Sequence, residues 1–139
     1  MIKNAPYRFS DFDSIVFEYG NGDSLVNKFN SKTKDYQYLN SHDSLIRKKL
    51  HLRSDDLLIL HRKAAELGFW DFPNREVNDS AQYKNAPHYL MQFNYKHKSK
   101  TVLFDEAFAG DPKLKDANEQ MIKAIQDVLN TEEQKEKNK

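Results

Sequence analysis

The chain has no cysteine, only four glycines and four prolines among 139 residues, and almost no net charge. Each shortage excludes something. Without cysteine there is no disulfide, no thiolate metal site and no cysteine nucleophile. With glycine confined to Gly20, Gly22, Gly68 and Gly110, neither a dinucleotide-binding turn nor a phosphate-cradling loop can be built. No glycine pair brackets a serine, so the strained nucleophile elbow of many hydrolases is missing as well. The 22 Lys and Arg stand against 21 Asp and Glu, a net charge of +1, and the chain as a whole therefore has no pull toward nucleic acid or an anionic membrane. No run approaches the ~18 apolar residues of a membrane-spanning helix. The start, MIKNAPYRFSDF, lacks the apolar core of a signal peptide.

What is present suits a folded domain with a polar surface. Aromatic residues make up 12% and charged residues 31% of the chain, a combination that disordered sequences do not carry. Residues 1–130 are expected to form one domain and 131–139 (TEEQKEKNK) a frayed tail with nothing to bury. The lead-ins KNAPYRF and KNAPHYL share four residues, but nothing downstream of them matches, so no internal duplication is implied.

Apolar spacing orders the elements. FDSIVFEY places Ile15, Phe17 and Tyr19 on one face of a strand, GNGD reverses the chain, and SLVNKFN returns as the second strand of a hairpin. DYQYLN and SLIRKKLHLR supply a third and a fourth strand. Ser54 is expected to cap a helix opened by Asp55 and Asp56, with Leu57, Leu60, Ala64 and Leu67 as its buried stripe and Gly68 as its left-handed stop. A polar loop from Asn74 to Ala86, the stretch expected to be most mobile, leads to HYLMQFNY and TVLFDE, two more hairpin strands. Asp111 and Pro112 then open a last helix striped by Leu114, Ala117, Met121, Ala124, Ile125 and Val128. The order ββββαββα predicts an α+β domain: a twisted antiparallel sheet of about six strands with two helices packed on one face.

Chemical constellations are sparse. The histidines His42, His51, His61, His88 and His97 lack the one-turn spacing of a zinc-binding pair, although His51, His61 and His88 could in principle meet across strand and helix. Carboxylates group at Asp11 and Asp13 and again at Asp105, Glu106 and Asp111, where capping and solvation are the ordinary roles. No catalytic residue, cofactor or metal is expected. The best local signal for a partner is the fourth strand, where Arg47, Lys49, His51 and Arg53 alternate with Ile46, Leu50 and Leu52. One face of that strand is basic. Protection of an exposed sheet edge is the simpler account of this row, and contact with a partner is the functional one. Lys96, His97, Lys98 and Lys100 form a second basic cluster at a hairpin tip.

ELGFWDFP, residues 66–73, concentrates three aromatic rings behind the helix stop. The expected role is a seam between helix and sheet: Phe69 folds back on Ala64 and Ala65, Trp70 and Phe72 point together into the sheet, and Asp71 stays wet. A ligand platform would instead leave Trp70 exposed.

The succession of a strand, the Gly-Asn-Gly-Asp turn, a second strand, a capped helix ending in ELGFWDFP, then HYLMQFNY, TVLFDE and a final helix, resembles a family of uncharacterised small bacterial domains that often follow a lipoprotein signal. The resemblance runs from about Phe12 to Val128. It is carried by the order of elements and departs from the family's more usual cysteine-containing turn near the first strand. It implies a cell-envelope location, with attachment only through a lipidated segment preceding Met1, and a binding role rather than an enzymatic one. The expected function is a non-enzymatic binding or interaction module whose partner is a protein or another envelope component, not nucleic acid. The alternatives are a cytoplasmic immunity-type inhibitor of a toxin enzyme and, third, a small hydrolase using histidine and carboxylates.

Overall fold

The computed structural model describes residues 8–21, 24–40, 42–76, 87–105 and 110–137. Its strands are β1 (Phe12–Asn21), β2 (Ser24–Asn30), β3 (Asp35–Leu39), β4 (Leu45–Lys49), β5 (Arg75–Glu76), β6 (Pro87–Tyr95) and β7 (Lys98–Asp105), with helices α1 (Ser54–Leu67) and α2 (Pro112–Lys137). They build one sheet in the order β4-β3-β2-β1-β6-β7-β5. Six strands run antiparallel, and the expected α+β architecture with ββββαββα order is present. The one addition is β5, two residues at the start of the Asn74–Ala86 loop, which pair in parallel with Leu103 and Phe104 of β7. Residues 77–86 of that loop lie outside the described residues.

Register assigns each side chain to a face. Phe17 pairs with Phe29 and with Met91, and Phe29 with Tyr36, so one face carries Ile15, Phe17, Phe29, Met91, Phe93, Val102 and Phe104, all nearly inaccessible. Both helices cover this face. From α1 come Leu60 and Ala64, and from α2 Met121, Ile122, Ile125, Val128 and Leu129, each set one stripe at helical spacing. The opposite face is open and carries Glu18, Lys28, Gln37, Arg47, Leu90 and Gln92.

Helix ends follow their local chemistry, with one correction. The N-cap of α1 is Arg53, in extended geometry, and Ser54 is already helical. Asp56, three residues on, reaches back to accept the Arg53 backbone N–H at 2.9 Å. That carboxylate satisfies a donor the helix start leaves orphaned, so the cap needs no serine hydroxyl. Asp111 caps α2 as expected, accepting the Lys113 N–H at 2.9 Å. Gly68 ends α1 with φ of 78°, and its N–H bonds to the Ala64 and Ala65 carbonyls.

Two further expectations are overturned. The tail from Thr131 does not fray: α2 continues to Lys137, and Glu132 and Glu133 are buried. Within ELGFWDFP the residues after Gly68 form a 3-10 turn, Phe69–Asp71, so strand parity does not apply to them. Phe69 is the ring that goes fully inside, Phe72 follows at 6% exposure, and Trp70 is half-buried beside them. The seam role holds, with Phe69 rather than Trp70 at its centre.

Candidate functional site

The four residues singled out on the fourth strand do not end up on one ladder. β4 stops at Lys49, and the chain leaves the sheet toward α1 through His51 and Arg53. It leaves there because Leu50 and Leu52 are drawn into the core, at 0% and 5% exposure. Arg47 and Lys49 therefore share the open sheet face, while His51 is exposed beyond the strand and Arg53 belongs to the helix cap, its Nε 3.4 Å from Glu132.

Register places Arg47 opposite Gln37, Gln37 opposite Lys28, Lys28 opposite Glu18 and Glu18 opposite Leu90, one row across five strands. Asp35 and Lys49 oppose each other in the neighbouring row. A hollow of about 400 Å³ lies over these rows, lined among others by Glu18, Lys28, Thr33, Asp35, Gln37 and Arg47. Lys49 and Asp35 pair at 2.5 Å, and the ammonium holds the Asp35 carboxyl below its usual range. Gln37 donates its amide to the Val26 carbonyl at 2.8 Å, which fixes the floor. Among the described residues Arg47 and Lys28 have no ion-pair partner. They stand two strands apart, about 10 Å at ordinary sheet spacing. Three cations thus face two anions, and the two cations flanking Gln37 are the uncommitted ones. At the end of the same face Leu39 and Leu45, register partners, are each 41% exposed.

The second basic cluster is partly consumed by structure. Lys100 donates to the Phe72 carbonyl and, at 3.2 Å, to Asn74 Oδ1, fastening the aromatic seam to β7. Lys96 and His97 are exposed at the hairpin tip.

The histidines are separated. His61 on α1 bonds the Tyr95 hydroxyl through Nδ1 at 2.7 Å and packs beside Phe9, Phe12 and Trp70; burial, then Arg62, lowers its pKa. His88 sits on the other side of the sheet, its Nε2 3.9 Å from Asp105 Oδ2, with both side chains buried. That distance is longer than a hydrogen bond. Among the described residues no three His, Asp or Glu side chains are grouped as a metal site.

One polar cluster had no signal in the sequence, because it needs a tail that reads as frayed. Where the end of α2 meets β3, β4 and the start of α1, Glu133 accepts hydrogen bonds from the Tyr38 hydroxyl and the Lys48 ammonium, both at 2.7 Å. Beside it Glu132 lies 3.4 Å from both Arg53 and Lys135 and is hydrogen-bonded to the Asp56 carboxyl. Burial, then the bond to Glu132, raises the Asp56 pKa, and the bond from Asp56 lowers that of Glu132. Of the two, Asp56 is the one the site shifts toward its protonated form and Glu132 the one it shifts toward its charged form. The raised Asp56 contributes stability that is complete below the ordinary carboxylate range, near 3.9, and is lost as pH rises through its folded value; the lowered Glu132 contributes above about 4.3 and is lost as pH falls. The pair is therefore strongest in a weakly acidic window. Asp56→Asn keeps an acceptor for the Arg53 N–H and a neutral donor for Glu132 at every pH. It should be more stable than the native chain at pH 7 to 8, with an advantage that shrinks toward pH 4, measured as urea midpoint against pH.

Comparison of the chain with protein-family models, with curated proteins and with solved structures finds no match. No residue role is transferred from a relative. No helix among the described residues is long and apolar enough to cross a membrane.

Proposed function

We propose that the protein is a non-enzymatic binding module that receives an acidic surface of a partner protein on its open sheet face, with Arg47 as anchor and Lys28 as second contact. The observation that carries this reading is the cross-strand row Glu18, Lys28, Gln37, Arg47, which holds two uncommitted cations over a hollow of about 400 Å³. Arg47 stands on the edge strand β4 and Lys28 two strands further in, and two cations about 10 Å apart on a rigid sheet match a pair of carboxylates on another surface. Glu18 and Asp35 beside them would reject a uniformly anionic polymer, which favours a protein over nucleic acid. An envelope location rests on the resemblance to lipid-anchored domains. It predicts that the full-length gene product partitions with membranes and is released by detergent; recovery in the soluble fraction would favour the inhibitor of a cytoplasmic toxin, which would use the same face.

The binding surface is tested by capture from lysate of the source cells with Lys28→Glu/Arg47→Glu beside the native chain. Partners held by the native protein should be lost from the variant and should weaken as salt is raised. An identical set of partners on both proteins, insensitive to salt, would remove the open face from the function.

A further inference from the structure

On the helix-covered side of the sheet a second hollow, of about 260 Å³, opens between α2 and the strands β1 and β3, lined by Phe17, Tyr19, Tyr36, Gln126, Leu129 and Asn130. No charged side chain lines it. Phe17 and Leu129 are buried, whereas Tyr19, Tyr36 and Gln126 are half-buried and Asn130 is exposed. The rings are held by their neighbours: Tyr19 stacks on Tyr89 at 5.7 Å and leans on Phe17 at 5.5 Å, and Tyr36 meets the edge of Phe29 at 5.8 Å.

The polar groups of this cleft are uncommitted. The nearby Tyr38 hydroxyl is spent on Glu133. By contrast, the hydroxyls of Tyr19 and Tyr36 and the side-chain amides of Gln126 and Asn130 make no hydrogen bond to another described residue. Burial is the leading cause that raises both phenols, so they stay protonated and able to donate at any physiological pH. Two hydroxyls and two amides thus converge on one aromatic-sided space.

We infer that this cleft is a binding site for a single uncharged, polyhydroxylated ring, of the class of a monosaccharide. An anion finds no cation there. A purely apolar ligand would strip water from four polar groups and return no hydrogen bond. The volume falls just short of the roughly 300–1,000 Å³ of pockets for drug-sized ligands, which limits the occupant to one ring. A pyranose offers what the lining asks for: an apolar C–H face for Tyr19 or Tyr36, and equatorial hydroxyls for phenol and amide partners that both donate and accept. The inference does not depend on the open face, which lies on the other side of the sheet.

The test is a titration of the native chain with glucose, galactose and N-acetylglucosamine, followed by saturation-transfer NMR and by backbone amide shifts. Binding should appear for at least one sugar, with amide shifts centred on Tyr19, Tyr36, Gln126 and Asn130. Tyr36→Phe and Gln126→Leu should each weaken it roughly threefold to tenfold, the worth of one neutral hydrogen bond, while Lys96→Glu, at the exposed hairpin tip, leaves it unchanged. Circular dichroism of both variants shows whether they retain the fold. The inference is overturned if no sugar shifts these amides at tens of millimolar, if phenol or adenine binds as well as the sugars, or if Tyr36→Phe and Gln126→Leu, both folded, bind as the native chain does.

Discussion

Phe69→Ala should lower the urea midpoint of unfolding by roughly 2 M, the loss of about 3–5 kcal/mol that follows from emptying a fully buried phenyl site. Phe69 has no exposed surface, and its ring meets Trp70, Phe72 and Phe93 at centroid distances of 5.7, 5.4 and 5.0 Å. It ties the turn that follows α1 to β6, an interior strand of the sheet. Its position depends on Gly68, whose φ of 78° turns the chain back into the core. Trp70 touches more rings, those of Phe69, Phe93, Tyr95 and His61, yet it keeps part of its surface in water and can be vacated with less loss of packing. Trp70→Ala should therefore cost less, about 2–3 kcal/mol. If Trp70→Ala proved the more damaging of the two, the seam would be organised around the indole and the burial order of this turn would be misassigned.

The element order was legible because its signals are local. A Gly-Asn-Gly-Asp turn, an alternating strand and a glycine-stopped helix can each be read within ten residues. The end of β4 was not. Nothing in SLIRKKLHLR marks Lys49 as the last paired residue, because alternation continues through Leu50 and Leu52 while the chain departs from β3 to enter α1. The same limit hid the role of Lys48. It stands as a break in the apolar parity of its strand, and only the fold brings it to a carboxylate 85 positions away. Composition misled at the C-terminus for a related reason: TEEQKEKNK contains no apolar residue, so a burial argument based on hydrophobicity alone sees nothing to hold it. Tyr38, Lys48 and Arg53 hold it instead. Of the candidate open-face site, parity placed Arg47 and Lys49 on one side of β4, but Lys28 and Gln37 join them only through the order in which the strands pair.

The strength of that C-terminal anchor can be measured with one substitution and its compensating partner. Glu133→Leu should destabilise the domain by about 2–3 kcal/mol, below the 3–5 kcal/mol of a fully buried ion pair because the Lys48 side chain keeps 29% of its exposure and can partly recover water. Most of the loss comes from what is left behind. The Lys48 ammonium and the Tyr38 hydroxyl, each bonded to Glu133 at 2.7 Å, lose the acceptor around which α2 and the β3–β4 pair are closed. Glu133→Gln retains an amide oxygen for them and should cost less than half as much. Lys48→Met/Glu133→Leu replaces both charges by apolar groups of similar length, so the double variant should recover much of the stability lost by Glu133→Leu alone. A strictly additive double variant would mean that the two side chains do not interact in solution. Removal of residues 131–139 separates this anchor from the alternative of a passive tail: it should cost at least as much as Glu133→Leu, whereas a tail without contacts could be deleted with no change in urea midpoint.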